Sequence, residues 1–270
     1  MTVGELSKYA PKEILDEYGI KKVKGIINMN TVVKGVYSDS VMPKVDVKIN
    51  MKGGNIVTTE YPELKNISFA GTVTNGDLKT DQSTEMVFKT FRFETNKSKF
   101  NFSFSVKNIK HPVYSAKANL SINLGEFNKF LPDSTIESMS GNVGVRLATN
   151  GVLPDSIGAD FTDYVLERTS LNMNFNNMDI NVMIRLIVND FNAKFDYTPK
   201  PKRMKINNLA VKVPSYGVNM KNTSMDVVIS GKTTNLKKIL LDIKSFHLQN
   251  ESNVIKGNAT VYNLENLNIK

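Results

Sequence analysis

Apolar and polar residues alternate with a period of two along most of the chain. Phe100-Asn101-Phe102-Ser103-Phe104-Ser105-Val106 is apolar at every even position and polar at every odd one. The same alternation runs through residues 45–51, 116–124, 171–175 and 209–213. Successive strand residues point to opposite faces, so each segment predicts a strand with one apolar and one hydrated face. Asn75-Gly76-Asp77, Asn96-Lys97, Tyr216-Gly217 and Asn250-Glu251 separate these segments, and Gly53-Gly54-Asn55 reads as a further turn. Asn-Gly between alternating runs is a strong hairpin signal. Tight turns join antiparallel neighbours, because parallel strands need long crossovers. Helical patterning is confined to residues 3–18, broken at Pro11, and to residues 125–131.

Composition narrows the chemistry. The 270 residues carry 35 Lys and Arg against 26 Asp and Glu, for a net charge of +9. There is no Cys and there are only two His, His111 and His247, which excludes a thiol enzyme, a disulfide scaffold and a multi-histidine metal centre. His111 precedes Pro112 and reads as a turn residue, while His247 falls in a strand beside Phe246. The chain holds 32 Asn, and most fall on the hydrated positions of the alternating segments beside Ser, Thr and Lys. That alternation also generates Asn-x-Ser/Thr triplets such as those at Asn101 and Asn119, which are strand faces rather than glycan sites. The first twenty residues include Glu5, Lys8, Lys12, Glu13, Asp16 and Glu17 and no apolar run, so they do not read as a secretory signal. The most apolar stretch, 182–188, is interrupted by Arg185 and is far shorter than the ~20 residues of a spanning helix. The expectation is a soluble piece of a longer protein.

Two motifs recur in the same order. VGELSKYAP at Val3 to Pro11 returns as LGEFNKFLP at Leu124 to Pro132, and GIINMNTVVKGVYSDS at Gly25 to Ser40 returns as GNVGVRLATNGVLPDS at Gly141 to Ser156. A third echo pairs the segment from Phe91 with the segment from Phe246, and the tail NLENLNI opens like another copy. The reading is a first β repeat over 1–123, a second over 124–263 and the start of a third over 264–270. Such repeats bury their apolar faces by stacking. The predicted fold is mainly β: an elongated, twisted antiparallel meander sheet curled into a groove or half-open sandwich, with short helices at the repeat starts.

In these motifs, with PKVDVKINMKGGNI, PELKNISFAGTVTNG, KINNLAVKVPSYGVNMKNTSMDVVISGKTTNL and NVIKGNATVYNLENLNI, the chain resembles the AsmA-like proteins in their Bacteroidota-type version. After Ser156 the second copy departs from the first, with GADFTDYVLERT in place of the Pro-Lys-Val-Asp strand start. The resemblance implies a long envelope protein of a Gram-negative bacterium, anchored in the inner membrane by a segment outside this chain. It also implies a periplasmic location and repeating β-grooves like those of bridge-like lipid transfer proteins. Its partner would be phospholipid or another envelope lipid, carried without a cofactor.

On that resemblance the lipid-facing candidates are the apolar rows: Phe91, Phe93, Phe100, Phe102, Phe104, Val106, Leu120, Ile122, Met173 and Phe175. The residues alone leave two readings open for these rows, the wall of an open groove or the core of a closed β-sandwich acting as a structural or protein-binding module of the envelope. No catalytic arrangement emerges. Asp39-Ser40 and Asp155-Ser156 read as turns through side-chain hydrogen bonds to the backbone. Gly35 and Gly151 read as strand bends or bulges. In Phe88-Lys89-Thr90-Phe91-Arg92-Phe93 the rings of Phe91 and Phe93 share a face that Arg92 points away from, which argues against single-stranded nucleic acid.

Overall fold

The computed structural model describes residues 2, 12–38, 41–59, 61–131, 136–154, 156–158, 160–182, 186–265 and 268–269. The repeated Val3–Pro11 motif, Asp39-Ser40, Pro132, Asp155 and Arg185 lie wholly or mostly outside these residues. The described chain is mainly β and forms two compact units, residues 1–120 with 150–155 and residues 121–149 with 156–270.

In unit 1, helix α1 (Lys12–Glu17) leads into β1 (Ile20–Lys34), β2 (Lys44–Thr58), β3 (Leu64–Thr74), β4 (Glu85–Glu94), β5 (Lys99–Lys107) and β6 (Val113–Asn123). β6 begins in unit 1 and ends in unit 2. A 3-10 turn over Leu124–Phe130 opens unit 2. There β7 (Ile136–Val152) is followed by α2 (Phe161–Leu166), β8 (Thr169–Val182), β9 (Leu186–Pro199), β10 (Lys202–Val213), β11 (Val218–Ser230), β12 (Leu240–Asn250), β13 (Asn253–Tyr262) and β14 (Asn268–Ile269). Spatial order equals sequence order throughout, and the first and last strands do not pair, so the strands do not close into a barrel. The antiparallel meander read from the tight turns is the observed topology.

The five alternating segments lie in β2, β5, β6, β8 and β10, and four of the five turns lie between strands. Gly53-Gly54-Asn55 does not. It lies inside β2, where the pairing with β3 slips between Met51 and Gly54. Gly53 takes a left-handed conformation there (φ 65°), which makes it a bulge and not a hairpin turn. The two glycines read as bends are displaced in the same way. Gly35 lies just beyond β1 and Gly151 lies in β7 without positive φ, whereas the pairing slips at Gly25 (φ 142°) and Gly141 (φ 93°), the first glycines of the repeated motif.

These bulges continue from strand to strand. In unit 1 they occur at Gly25, Gly53 and Asn66 (φ 53°), and in unit 2 at Gly141, Asn177 (φ 47°), Asp190 (φ 53°), Asn208 (φ 53°) and Asn222 (φ 48°). Every one coincides with a register shift. Asn and Asp tolerate this backbone because their short polar side chains bond locally. Part of the Asn surplus is therefore a bulge requirement, which the assignment of Asn to the hydrated face does not cover.

A bulge bends its strand, and a row of bulges creases the sheet. Part of the core lies at the crease. Met51, Ile67, Val143 and Ala193 lie within three residues of a left-handed position and are 5–7% exposed, whereas Met29 and Val33 on the same face of β1 are 67% and 59% exposed. Val227, Ile239 and Tyr197 are buried away from it.

Candidate functional site

Cross-strand pairing assembles one apolar face in unit 1. Ile27 pairs with Met51, Met51 with Phe69, Phe69 with Phe91 and Phe91 with Phe102. Directly opposed residues share a face, so the register alone aligns these five strands. The pairing of β4 with β5 slips between Phe88 and Phe91, and this puts both rings on the same side although they are three residues apart. Seven phenylalanines then form a connected row. Phe88 stacks on Phe104 at 4.8 Å and Phe93 on Phe100 at 4.6 Å, while Phe69, Phe91 and Phe102 bridge them at 6.1–6.2 Å. Gly71 makes room for this row, since a Cβ there would stand 2.6 Å from the Phe88 ring.

None of the seven rings is buried; each keeps part of its surface in solvent. Among the described residues, the elements that pack closely are sequential strands, plus contacts of strands with the short helical segments. Within unit 1 the described strands follow one another as a single meander. A face of this kind receives apolar chains without a charged contact, at about 0.8 kcal/mol for each CH₂ removed from water.

Unit 2 builds its apolar face from different side chains. Val145, Met173, Phe195, Ile206, Met225 and Phe246 form one cross-strand line, and Leu147, Leu171, Tyr197, Met204, Val227 and Ile243 form the next. Phe175 meets Phe191 edge to face at 5.3 Å. One end of this face is covered. The Tyr197 hydroxyl donates to the Leu166 carbonyl of α2 at 2.8 Å, and α2 carries Asp163, only 3% exposed. Its carboxylate accepts from the Thr233 amide at 2.9 Å, the Thr233 hydroxyl at 3.2 Å and the Lys202 ammonium at 3.3 Å. Burial pushes the Asp163 carboxyl up, but these donors outweigh burial and hold it below the ordinary carboxylate value. A second bridge, Lys232 to Asp160 at 2.8 Å, ties the same loop to the start of α2. The sequence reading missed this helix; a buried acid at Asp163, whose partner is 70 residues away, leaves no local signal.

The opposite, polar faces also differ. In unit 1 the in-register positions are Lys22, Lys24 and Lys34 on β1, Lys44, Lys48 and Lys52 on β2, Lys65 on β3, Arg92 on β4, and Lys99 and Lys107 on β5. Among the described residues the in-register acids on that face are Asp46, Glu85 and Glu94, and three of the cations are paired: Lys44 with Asp77, Lys65 with Glu63 and Lys107 with Glu85. Among the described residues Lys52, Arg92 and Lys99 have no carboxylate within ion-pair distance. In unit 2 more of the strand cations are matched: Arg203 and Lys205 with Asp226, Lys194 with Asp196, Lys212 with Asp190 at 2.6 Å, and Lys244 with Asp242, while Arg146, Lys221 and Lys256 have no carboxylate within ion-pair distance among the described residues. The Arg203 guanidinium holds the Asp226 carboxyl below its ordinary value, and Asp190 holds the Lys212 ammonium above its own.

Of the ten candidates, Phe91, Phe93, Phe100, Phe102, Phe104 and Val106 come together on the apolar face of unit 1. Met173 and Phe175 lie on the apolar face of unit 2. Leu120 and Ile122 are half-buried on β6, one in each unit. Phe69 and Phe88 belong to the ring row and were not candidates. The Phe-x-x-Phe spacing of Phe88 and Phe91 contradicts a flat strand and is the sequence signal of the bulge that brings Phe88 in.

Among the described residues no helix is long and apolar enough to cross a membrane, and no group of three or more His, Cys, Asp or Glu stands where it could hold a metal ion. No family model, curated protein or solved structure matches this chain.

Proposed function

We propose that the chain is a non-enzymatic lipid-carrying module whose creased apolar faces hold the acyl chains of phospholipid. The observation that supports this most directly is the connected row of seven partly exposed rings. Apolar rings that keep part of their surface in solvent suit an interaction surface, because leaving them wet is unfavourable. A hydrocarbon chain suits the row better than a polar ligand does, since it needs no fixed hydrogen-bond partner and no charged side chain projects onto the paired positions from Met51 to Phe102.

Together with the AsmA-like resemblance, the reading extends to a periplasmic segment of an envelope protein that moves lipid between the two membranes. Transport along such a surface is diffusive, so the activity belongs to the row as a whole and no single residue carries it.

Native mass spectrometry of the purified chain tests the proposal. Co-purifying phospholipid that disappears in Phe102→Glu, with the fold retained by circular dichroism, is the expected result. A lipid-free wild-type protein that also takes up no phospholipid from vesicles overturns it and favours a structural or protein-binding module.

A further inference from the structure

The unpaired cations of unit 1 lie on the side of the sheet away from the rings, so holding acyl chains does not account for them. A depression of about 460 Å³ opens on this polar face, lined by Lys52, Arg92 and Lys99 together with Asn66, Ser68 and Asn101. Glu94 is the single carboxylate in its wall, and it accepts from the Asn66 side-chain amide at 3.2 Å. Three cations against one engaged carboxylate leave the depression positively charged.

We propose that this depression binds a phosphate group, and that through it the polar face of unit 1 docks onto the phosphate layer of an anionic lipid surface. Arg92 presents a planar fork that matches two phosphate oxygens, while Lys52 and Lys99 act as point charges beside it. Asn101 adds a neutral donor at a register position directly opposite Arg92, and Ser68, opposite Arg92 on the other side, donates its hydroxyl to the Asn66 carbonyl. Lys22, Lys34 and Lys48 continue the positive grid on β1 and β2 without ion-pair partners among the described residues, which suits an extended surface of like charges rather than one small anion. Phe93 also lines the depression, but it stacks on Phe100 and the other rings of the row lie outside it, so the site offers no run of free rings on which successive bases could stack. The choice of a lipid surface over a duplex nucleic acid rests on the lipid-carrying reading; the charge asymmetry does not.

Co-sedimentation of the full chain with vesicles tests the docking. Vesicles of phosphatidylcholine mixed with phosphatidylglycerol should pull the protein down, vesicles of phosphatidylcholine alone should not, and added salt should release it. The Lys52→Gln/Arg92→Gln/Lys99→Gln variant should bind the mixed vesicles about a hundredfold more weakly. Arg92→Lys, which keeps the charge and loses the fork, should fall between it and wild type. Phe102→Glu should keep docking while losing co-purified lipid, so that failure of the lipid-carrying reading is seen separately. Should the triple variant fail to fold, Arg92→Lys and Lys99→Gln carry the test. Equal binding to neutral vesicles, full binding by folded charge variants, or tighter binding to a short DNA duplex than to the anionic vesicles overturns the proposal.

Discussion

Units 1 and 2 are built from the same device, an antiparallel meander creased along a line of left-handed residues, yet they use its two faces differently. Unit 1 lines its apolar face with phenylalanine and leaves its polar face strongly basic. Unit 2 mixes phenylalanine and tyrosine with methionine and aliphatic side chains on its apolar face, seals one end under α2, and matches several strand cations with Asp226, Asp196, Asp190 and Asp242. The contrast separates what the crease requires from what varies on it. Left-handed residues and cross-strand apolar pairs recur in both units; the continuous row of stacked rings, the degree of charge matching and the capping do not. The variable features are the ones that would specify ligand and docking partner.

The largest effect should come from the seal of unit 2. Asp163→Ala removes a buried carboxylate, leaves the Thr233 amide without its acceptor and leaves Lys202 with only Glu167 and the Gly231 carbonyl, and the melting free energy should fall by about 3 kcal/mol. The carboxyl is held below its ordinary value, so its contribution is complete above that value and is lost as pH falls through the lower, folded one. The difference between wild type and variant should therefore be full near neutral pH and shrink below about pH 4. A difference that grows on acidification would show that Asp163 is protonated in the folded protein.

Phe102→Glu probes the apolar face of unit 1 and, on the lipid-carrying proposal, should be milder, about 1–2 kcal/mol, because the carboxylate then stays hydrated and the loss is chiefly of ring contacts. A chain that no longer folds with this change would place Phe102 in a closed core, where an unpaired carboxylate is not tolerated.

The shared crease predicts that its left-handed residues are interchangeable between units. Gly53→Asn should leave stability within ~0.5 kcal/mol, since unit 2 uses Asn at such bulges and a Cβ at Gly53 meets nothing within 4 Å. Gly53→Val should lose about 1–2 kcal/mol through backbone strain alone. Equal effects of Asn and Val in thermal melts would break the comparison between the creases. The smallest effect belongs to the polar face: Ser103→Lys should change stability by no more than ~0.5 kcal/mol, and a sharply lowered midpoint would mean that the faces of β5 are inverted.

The rows Phe100-Phe102-Phe104 and Leu171-Met173-Phe175 were legible because alternation is local and each strand carries its own pattern. Phe69 and Phe88 were not: one has no alternating phenylalanine neighbour and the other reaches the row only through a slipped register. Gly53-Gly54-Asn55 was misread because glycine and asparagine supply left-handed backbone equally to a hairpin turn and to a mid-strand bulge. The length of extended chain on both sides decides between them, and β2 runs from Lys44 to Thr58 straight through. α2 escaped because six residues are too few to show a helical period.

The sequence by itself determined the class of structure: strands with one apolar face, joined by short turns, repeated, and carrying a basic excess. Each of these is a property of neighbouring residues, since strand alternation and turn chemistry act over two to four positions. Tertiary structure decided the rest. Which rows meet depends on register, and a slip of one residue at a bulge moves a side chain to the other face. Whether a lysine is paired depends on what folding brings beside it, which is why seven of ten cations on the polar face of unit 1 have no carboxylate within ion-pair distance among the described residues while Arg203, Lys205 and Lys212 of unit 2 find one. Whether Asp163 is buried depends on a loop distant in the chain, and only folding brings the Thr233 amide to it.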